Sequence, residues 1–294
     1  MLVFVGSLIG THYYLSRLPD REAREPARVA LRFTPAEIAP DAALPLKVSG
    51  AWRLESDQPR MGGVSALAID RGGFVALTDS GVVIRMPKPS ASGGLVLAEF
   101  RDLPSGPGSP RHKAGRDSEA LARDAAGSGW WVGFENRHAA LLFTGDFERV
   151  EQRIGLRHLG WRSNNGVEGA LSVPGALILF PESGASIIRI SQSRTERIAL
   201  PEPHRRLSDV TILPDGRTMV LARTFGPAGF SAWLLLLDGK RMVPVARLQL
   251  GRLDNPEAIA AEALPGGMTR LWVMTDNDYR RRVPTLLIAL DWAG

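Results

Sequence analysis

The chain has 294 residues, 44% hydrophobic and 23% charged, with 31 glycines and 21 prolines, so it can bury a sizeable core and turns often. Its formal charge of +5 is carried almost wholly by arginines scattered along the sequence, with no basic helix, aromatic-basic RNA motif or zinc-finger spacing, and this excludes nucleic acid as a partner. The absence of cysteine excludes disulfides, thiolate metal sites and a cysteine nucleophile.

In chain order, the first element is the apolar run MLVFVGSLIGTHYYLSRLP, followed by the charged PDREAREPAR. Residues 1–18 are expected to be a hydrophobic signal or membrane anchor, and 19–44 a linker, ahead of one domain over 45–294. Such a segment predicts an exported, periplasmic protein, tethered to the inner membrane if the segment is retained. The other reading is a strand or helix packed on the domain, because the run is shorter than the roughly 20 residues of a full span.

From residue 45 a hairpin repeats: VSALAIDRGGFVALTDSG from Val64, SEALARDAAGSGWWVGFEN from Ser118, VEGALSVPGALILFPES from Val167, SDVTILPDGRTMVLART from Ser208 and PEAIAAEALPGGMTRLWVMTD from Pro256. Each is an apolar strand, a turn such as DRGG, PDGR or LPGG, and a second apolar strand with a polar end. The anchors Ser65, Glu119, Glu168, Asp209 and Glu257 lie 54, 49, 41 and 48 residues apart, a period that belongs to propeller blades. Two further strands follow in each unit, for example ASIIRIS and RTERIAL. The fifth unit lacks its outer strand, which KVSGAWRLES (47–56) would supply, joining the two termini and removing an open edge. The reading is an all-β fold, a β-propeller of four-stranded blades closed by an N-terminal strand. Five repeats are counted, and a sixth, irregular blade from 81–118 or 28–44 stays open.

A propeller brings equivalent first-strand positions into one ring around its channel. Strand two runs back antiparallel, so Asp79, Glu135, Glu182 and Asp276, with Arg223 at the equivalent place in the fourth unit, are expected at the same mouth as the anchors. That many carboxylates repel one another unless a cation compensates, and calcium accepts about six to eight oxygens from carboxylates, amides and carbonyls. The candidate metal ligands are Asp79, Glu119, Glu135, Glu182, Asp209, Asp276, Asn165 and Asn255, with Asn136 and Asn277 beside them. Glu168 or Glu257 would take a proton from water, and Arg137, Arg223 and Arg280 would clamp an anionic group. The other reading of each acid is a turn cap.

The set GGVSALAID with ALTDSG, DSEALARD with WWVGFEN, NNGVEGALSV with LILFPES, SDVTILPDGRTMVLAR, and DNPEAIAAEA with LWVMTDND resembles the phytase-like propellers, the family described as having esterase-like activity of phytase, over residues 50–292. The resemblance implies a propeller and, for true propeller phytases, calcium-dependent phosphoester hydrolysis on six blades. It also implies channel-mouth roles for Glu119, Glu135, Glu168, Glu182, Asp209, Glu257 and Asp276. This chain departs from the family at Ala222, where an acid is usual before Arg223, and at Ser80, where an arginine is usual after Asp79.

Other chemistries lack their motifs. No G-x-S-x-G elbow, H-E-x-x-H pair, Walker loop or dinucleotide fingerprint is present, and of the histidines only His138, after ENR, falls near the mouth. The irregular stretch 102–117, DLPSGPGSPRHKAGRD, reads as a loop over the mouth or a linker. Three functions remain: a metal-dependent hydrolase of small-molecule phosphate or other esters with calcium as cofactor, a lactonase or gluconolactonase-like propeller hydrolase, and a non-catalytic envelope ligand-binding propeller.

Overall fold

The computed structural model describes residues 25–38, 45–108, 115–162, 165–192, 194–202, 204–280 and 283–294. The apolar N-terminal run, His12, His112, Arg281 and Arg282 lie outside the described residues. No helix among the described residues is long and apolar enough to cross a membrane.

Strands dominate. Two outlying strands, β1 (Ala27–Pro35) and β2 (Leu46–Glu55), precede a first set of β3 (Val64–Asp70), β4 (Gly73–Thr78), β5 (Val82–Pro87) and β6 (Gly94–Asp102). The second set is β7 (Ser118–Arg123), β8 (Gly129–Phe134), β9 (Ala139–Thr144) and β10 (Val150–Gly155). The third is β11 (Val167–Val173), β12 (Ala176–Pro181), β13 (Ser186–Ser191) and β14 (Thr195–Ala199). The fourth is β15 (Arg206–Ile212), β16 (Thr218–Gly226), β17 (Gly229–Asp238) and β18 (Arg241–Gln249). In the fifth, β19 (Asn255–Ala263), β20 (Thr269–Asp276) and β21 (Thr285–Trp292) pair in order, and β2 completes the sheet by lying antiparallel to β21. The first strands of the sets neighbour one another in the order β3, β7, β11, β15, β19 and back to β3, so the ring is closed. The fold is an all-β propeller whose N-terminal strand joins the two ends of the chain.

Burial explains the composition of each strand. Inner strands are covered on both faces by neighbouring sets, and so GWWVGF in β8 is apolar throughout and buried at all six positions. Outer strands have one open face, and TERIA in β14 alternates between exposed and half-buried. The space between the first and second sets is filled by Leu77, Val83, Leu121, Trp130 and Phe143.

The stretch 19–44 is not all linker. β1 lies between β2 and β6, antiparallel to both, so the first and fifth sets merge into one nine-stranded sheet. Its alternation Val29, Leu31, Phe33 places an apolar face inward against Trp52, Trp272 and Phe74, while Arg28 and Arg32 face out. The segment 81–118, reserved for an irregular sixth blade, instead contributes β5 and β6 to the first set.

Candidate active site

One backbone feature recurs at the ring. In every set the pairing of first and second strands slips by one residue near the start of the first strand, and the extra residue is Ser65, Glu119, Glu168, Ser208 or Glu257. A bulge leaves its extra residue out of the ladder and re-aims the side chain. Three of the five therefore deliver a glutamate; Ser65 instead donates to the Ser118 carbonyl at 2.7 Å.

In the fourth set the bulged residue is Ser208, one position before Asp209. Asp209 shares the register of Ala66, Ala120, Gly169 and Ala258, and the small size of those residues leaves it room inside the ring. It is fully buried, and its carboxylate accepts the N–H groups of Val210 and Ile259, each at 2.8 Å. Burial pushes the carboxyl well above the usual carboxylate range, against the opposing pull of the Ile259, Val210 and Leu67 N–H groups. Asp209 thus ties β15, β19 and β3 together across the channel wall.

The second and third sets gather acids. Carboxylate oxygens of Asp117, Glu119 and Glu135 lie within 4.8 Å of one another, as do those of Glu135, Glu168 and Glu182, so Glu135 belongs to both groups. Asn136 Nδ2 donates to Asp117, and the Gly166 N–H donates to Glu135 Oε1 at 3.3 Å. Burial drives the Glu168 carboxyl well above its ordinary value; the Arg223 cation opposes this, while Glu135, Glu182 and Asp117 add to it.

Between the third, fourth and fifth sets the balance differs. Arg223 stands opposite Arg206 in register, where the other sets carry Asp79, Glu135, Glu182 and Asp276. Its guanidinium bridges Glu182, at 3.3 Å, and Glu257, and also reaches Ser208 Oγ at 3.4 Å. Arg206 Nε donates to Glu182 at 3.0 Å from the exposed side. Asn255 Nδ2 donates to Glu257.

The other expected residues surround this centre without joining the two acid groups. Asp276 Oδ1 accepts the Asp278 N–H at 2.7 Å, an Asx turn. Asp79 lies beside Tyr279, whose hydroxyl shares a hydrogen bond with Ser80. The Tyr279 ring packs so closely on Gly62 (φ 139°) and Gly63 (φ 61°) that a Cβ at either glycine would collide with it. Buried Asn277 links this loop, donating to the Val283 carbonyl at 3.0 Å. Arg137 is exposed on the turn after Glu135 and Asn136, and Arg280 pairs with Asp278 at 3.1 Å. His138 is buried with its ring edge-on to Trp161, and burial lowers its imidazole below the usual histidine value, helped by the Arg157 charge. Asp117 and Arg206 joined the site without having been singled out in the sequence. Asp117 stands two residues before its bulge, as Asn255 does, and that equivalence was the available signal.

The donor set suits a hard cation. The acid groups offer oxygen alone, and two amide oxygens at the mouth, Asn165 Oδ1 and Asn255 Oδ1, are buried with no hydrogen-bond partner among the described residues. An orphaned buried acceptor has lost its water and gained nothing, and a cation would satisfy it.

A family model described as phytase-like, esterase-like activity of phytase, matches residues 59–279. The glutaminyl cyclase of Myxococcus xanthus has a similar structure, with a TM-score of 0.52 and 12% identity over 84% of this chain and 96% of that one. A virginiamycin B lyase from Staphylococcus aureus follows at 0.47 and 11% identity, over 92% and 99% of the two chains. At such identity the first likeness speaks for the fold. No curated protein matches the chain.

Proposed function

The chain belongs to the phytase-like family, described as esterase-like activity of phytase, and on that premise we propose that it is a calcium-dependent hydrolase of phosphate or other esters, working at the acidic mouth of its channel. The observation that carries the reading is the pair of carboxylate groups sharing Glu135, with the orphaned amide oxygen of Asn165, next to the Gly166 that bonds Glu135.

Asp117, Glu119, Glu135, Glu182 and Asn165 would hold the cation, which when bound offsets negative charge developing on the substrate and orients a water for attack. Glu168 is the general base. Burial raises its carboxyl above the ordinary glutamate value, which makes the ionised group a stronger proton acceptor than an exposed glutamate. Glu257 is less suited to that work, because its carboxylate is already held in an ion pair with Arg223. Arg223 holds Glu182 and Glu257 in place, and exposed Arg137, at the rim, receives the substrate anion in a bidentate way. Export and a membrane tether through residues 1–18 complete the proposal.

The test is hydrolysis by purified protein of an aryl phosphate, an aryl ester and a lactone, with calcium and with chelator. Calcium-dependent release from the phosphate or ester is expected, falling by about 10²- to 10⁴-fold in Glu168→Gln. Turnover of the lactone alone would favour a lactonase. If none is turned over while calcium still raises the melting temperature, the molecule is a binding propeller and the hydrolase reading fails.

A further inference from the structure

The hairpin of the fourth set reaches further than its counterparts. Past Glu135 and Glu182 the chain turns within a few residues into β9 and β13, but past Arg223 the strands stay paired through Thr224 with Ser231, Phe225 with Phe230, and Gly226 with Gly229. Three more pairs at about 3.3 Å of rise each carry the tip roughly 10 Å beyond the arginine. The arm is fixed in place. Arg252 Nη2 donates to the Pro227 carbonyl at 3.0 Å and Gln249 Nε2 to the Phe230 carbonyl at 2.8 Å, tying the tip to the segment that leads into β19.

On this arm Phe225 is 63% exposed, its ring 4.8 Å from that of Phe230. Side chains two apart on a strand share a face, so Phe225 stands on the same face as Arg223, one step out from the guanidinium that joins Glu182 and Glu257. An exposed aromatic held rigidly beside a charged site offers area at little entropic cost.

We propose that Phe225, backed by Phe230, is a substrate wall: it takes the apolar or aryl group of an ester whose polar end lies at the carboxylates and Arg223. The proposal rests on the reading of the mouth as the substrate site and narrows it. The substrate class is a monoester with one apolar arm. A polyanion charged all round would set solvated charge against the aromatic pair, and desolvating that charge is costly.

The experiment is calorimetric titration of benzylphosphonate and of methylphosphonate, neither of them hydrolysable, into calcium-loaded wild type, Phe225→Ser and Phe225→Leu. Wild type is expected to bind the benzyl compound about tenfold more tightly, in line with burial of part of a phenyl group. Phe225→Ser should erase that preference with methylphosphonate affinity unchanged, and Phe225→Leu should keep part of it. Equal affinities in wild type, including no binding of either, overturn the wall, as does a preference that survives Phe225→Ser. Retained preference in binding without turnover of any ester would defeat the hydrolytic reading and leave the wall standing.

Discussion

In the second and third sets the carboxylates of Asp117, Glu119, Glu135, Glu168 and Glu182 crowd against one another, whereas between the fourth and fifth a guanidinium stands at the register where those sets carry an acid. Glu257 and Glu168 occupy the same bulge position in their hairpins, yet Glu257 is ion-paired with Arg223 while Glu168, raised by burial against the pull of that same Arg223 charge, lies among Glu135, Glu182 and Asp117. Equivalent backbone therefore serves opposite electrostatics. One side of the mouth is closed by Arg223, which also reaches Glu182; the other gathers the carboxylate oxygens of Asp117, Glu119 and Glu135, a donor set that suits a hard cation.

The largest effect should come from removing the internal counter-ion. Arg223→Met leaves Glu182 and Glu257 without their shared guanidinium and is expected to lower stability by roughly 3 kcal/mol or more, since an uncompensated buried charge is costly. Chemical denaturation with and without calcium checks this. A loss under 1 kcal/mol would mean that the two halves do not differ as described.

Calcium should act on the other half. At about a hundred times its dissociation constant it should stabilise wild type by ~2.7 kcal/mol, read as a rise in melting temperature. Arg223→Met should retain that rise and Glu135→Gln, which removes the carboxylate shared by both acid groups, should lose most of it. The reverse pattern would place the ion on the wrong side of the mouth.

A pH series sharpens the contrast. Glu168 has a folded value raised above its unfolded value of about 4.3, so below the latter it is protonated in both states and has no effect. Above it the unfolded chain loses its proton first, and stability of the metal-free protein falls as pH rises toward the raised folded value, then levels off. Calcium favours the ionised carboxylate and should flatten that fall. Asp209 titrates with the same sign but is enclosed by backbone N–H groups, so its share should persist with calcium present. Melting temperatures across pH 4 to 9, with and without calcium, decide it.

The smallest effect belongs to Arg206. Its side chain is 68% exposed although it bonds to Glu182, and Arg206→Ala should cost no more than about 0.5 kcal/mol. A cost close to that of Arg223→Met would show that Glu182 depends on the outer arginine.

The ring was legible because turns such as DRGG, PDGR and LPGG punctuate apolar runs at a repeating interval, and Glu119, Glu135, Glu168 and Glu182 were legible because acids recur at the same place in that interval. A bulge leaves no mark in sequence, and so Asp209 was aligned with the glutamates although Ser208 before it holds their place. β1 was hidden by its short alternation inside a charged, proline-bounded stretch. Arg223 read as a departure from an acidic pattern; only the approach of Glu182 and Glu257 from neighbouring sets explains what it does there.

The central claim, that the acid-rich half holds a hard cation and the arginine half does not, is tested most directly by a crystal soaked in calcium. The account predicts ion density bonded to Glu135 and its carboxylate neighbours at about 2.3 to 2.6 Å, with none between Arg223 and Glu257. Acids free of any ion at saturating calcium, or an ion seated beside Arg223, would contradict it.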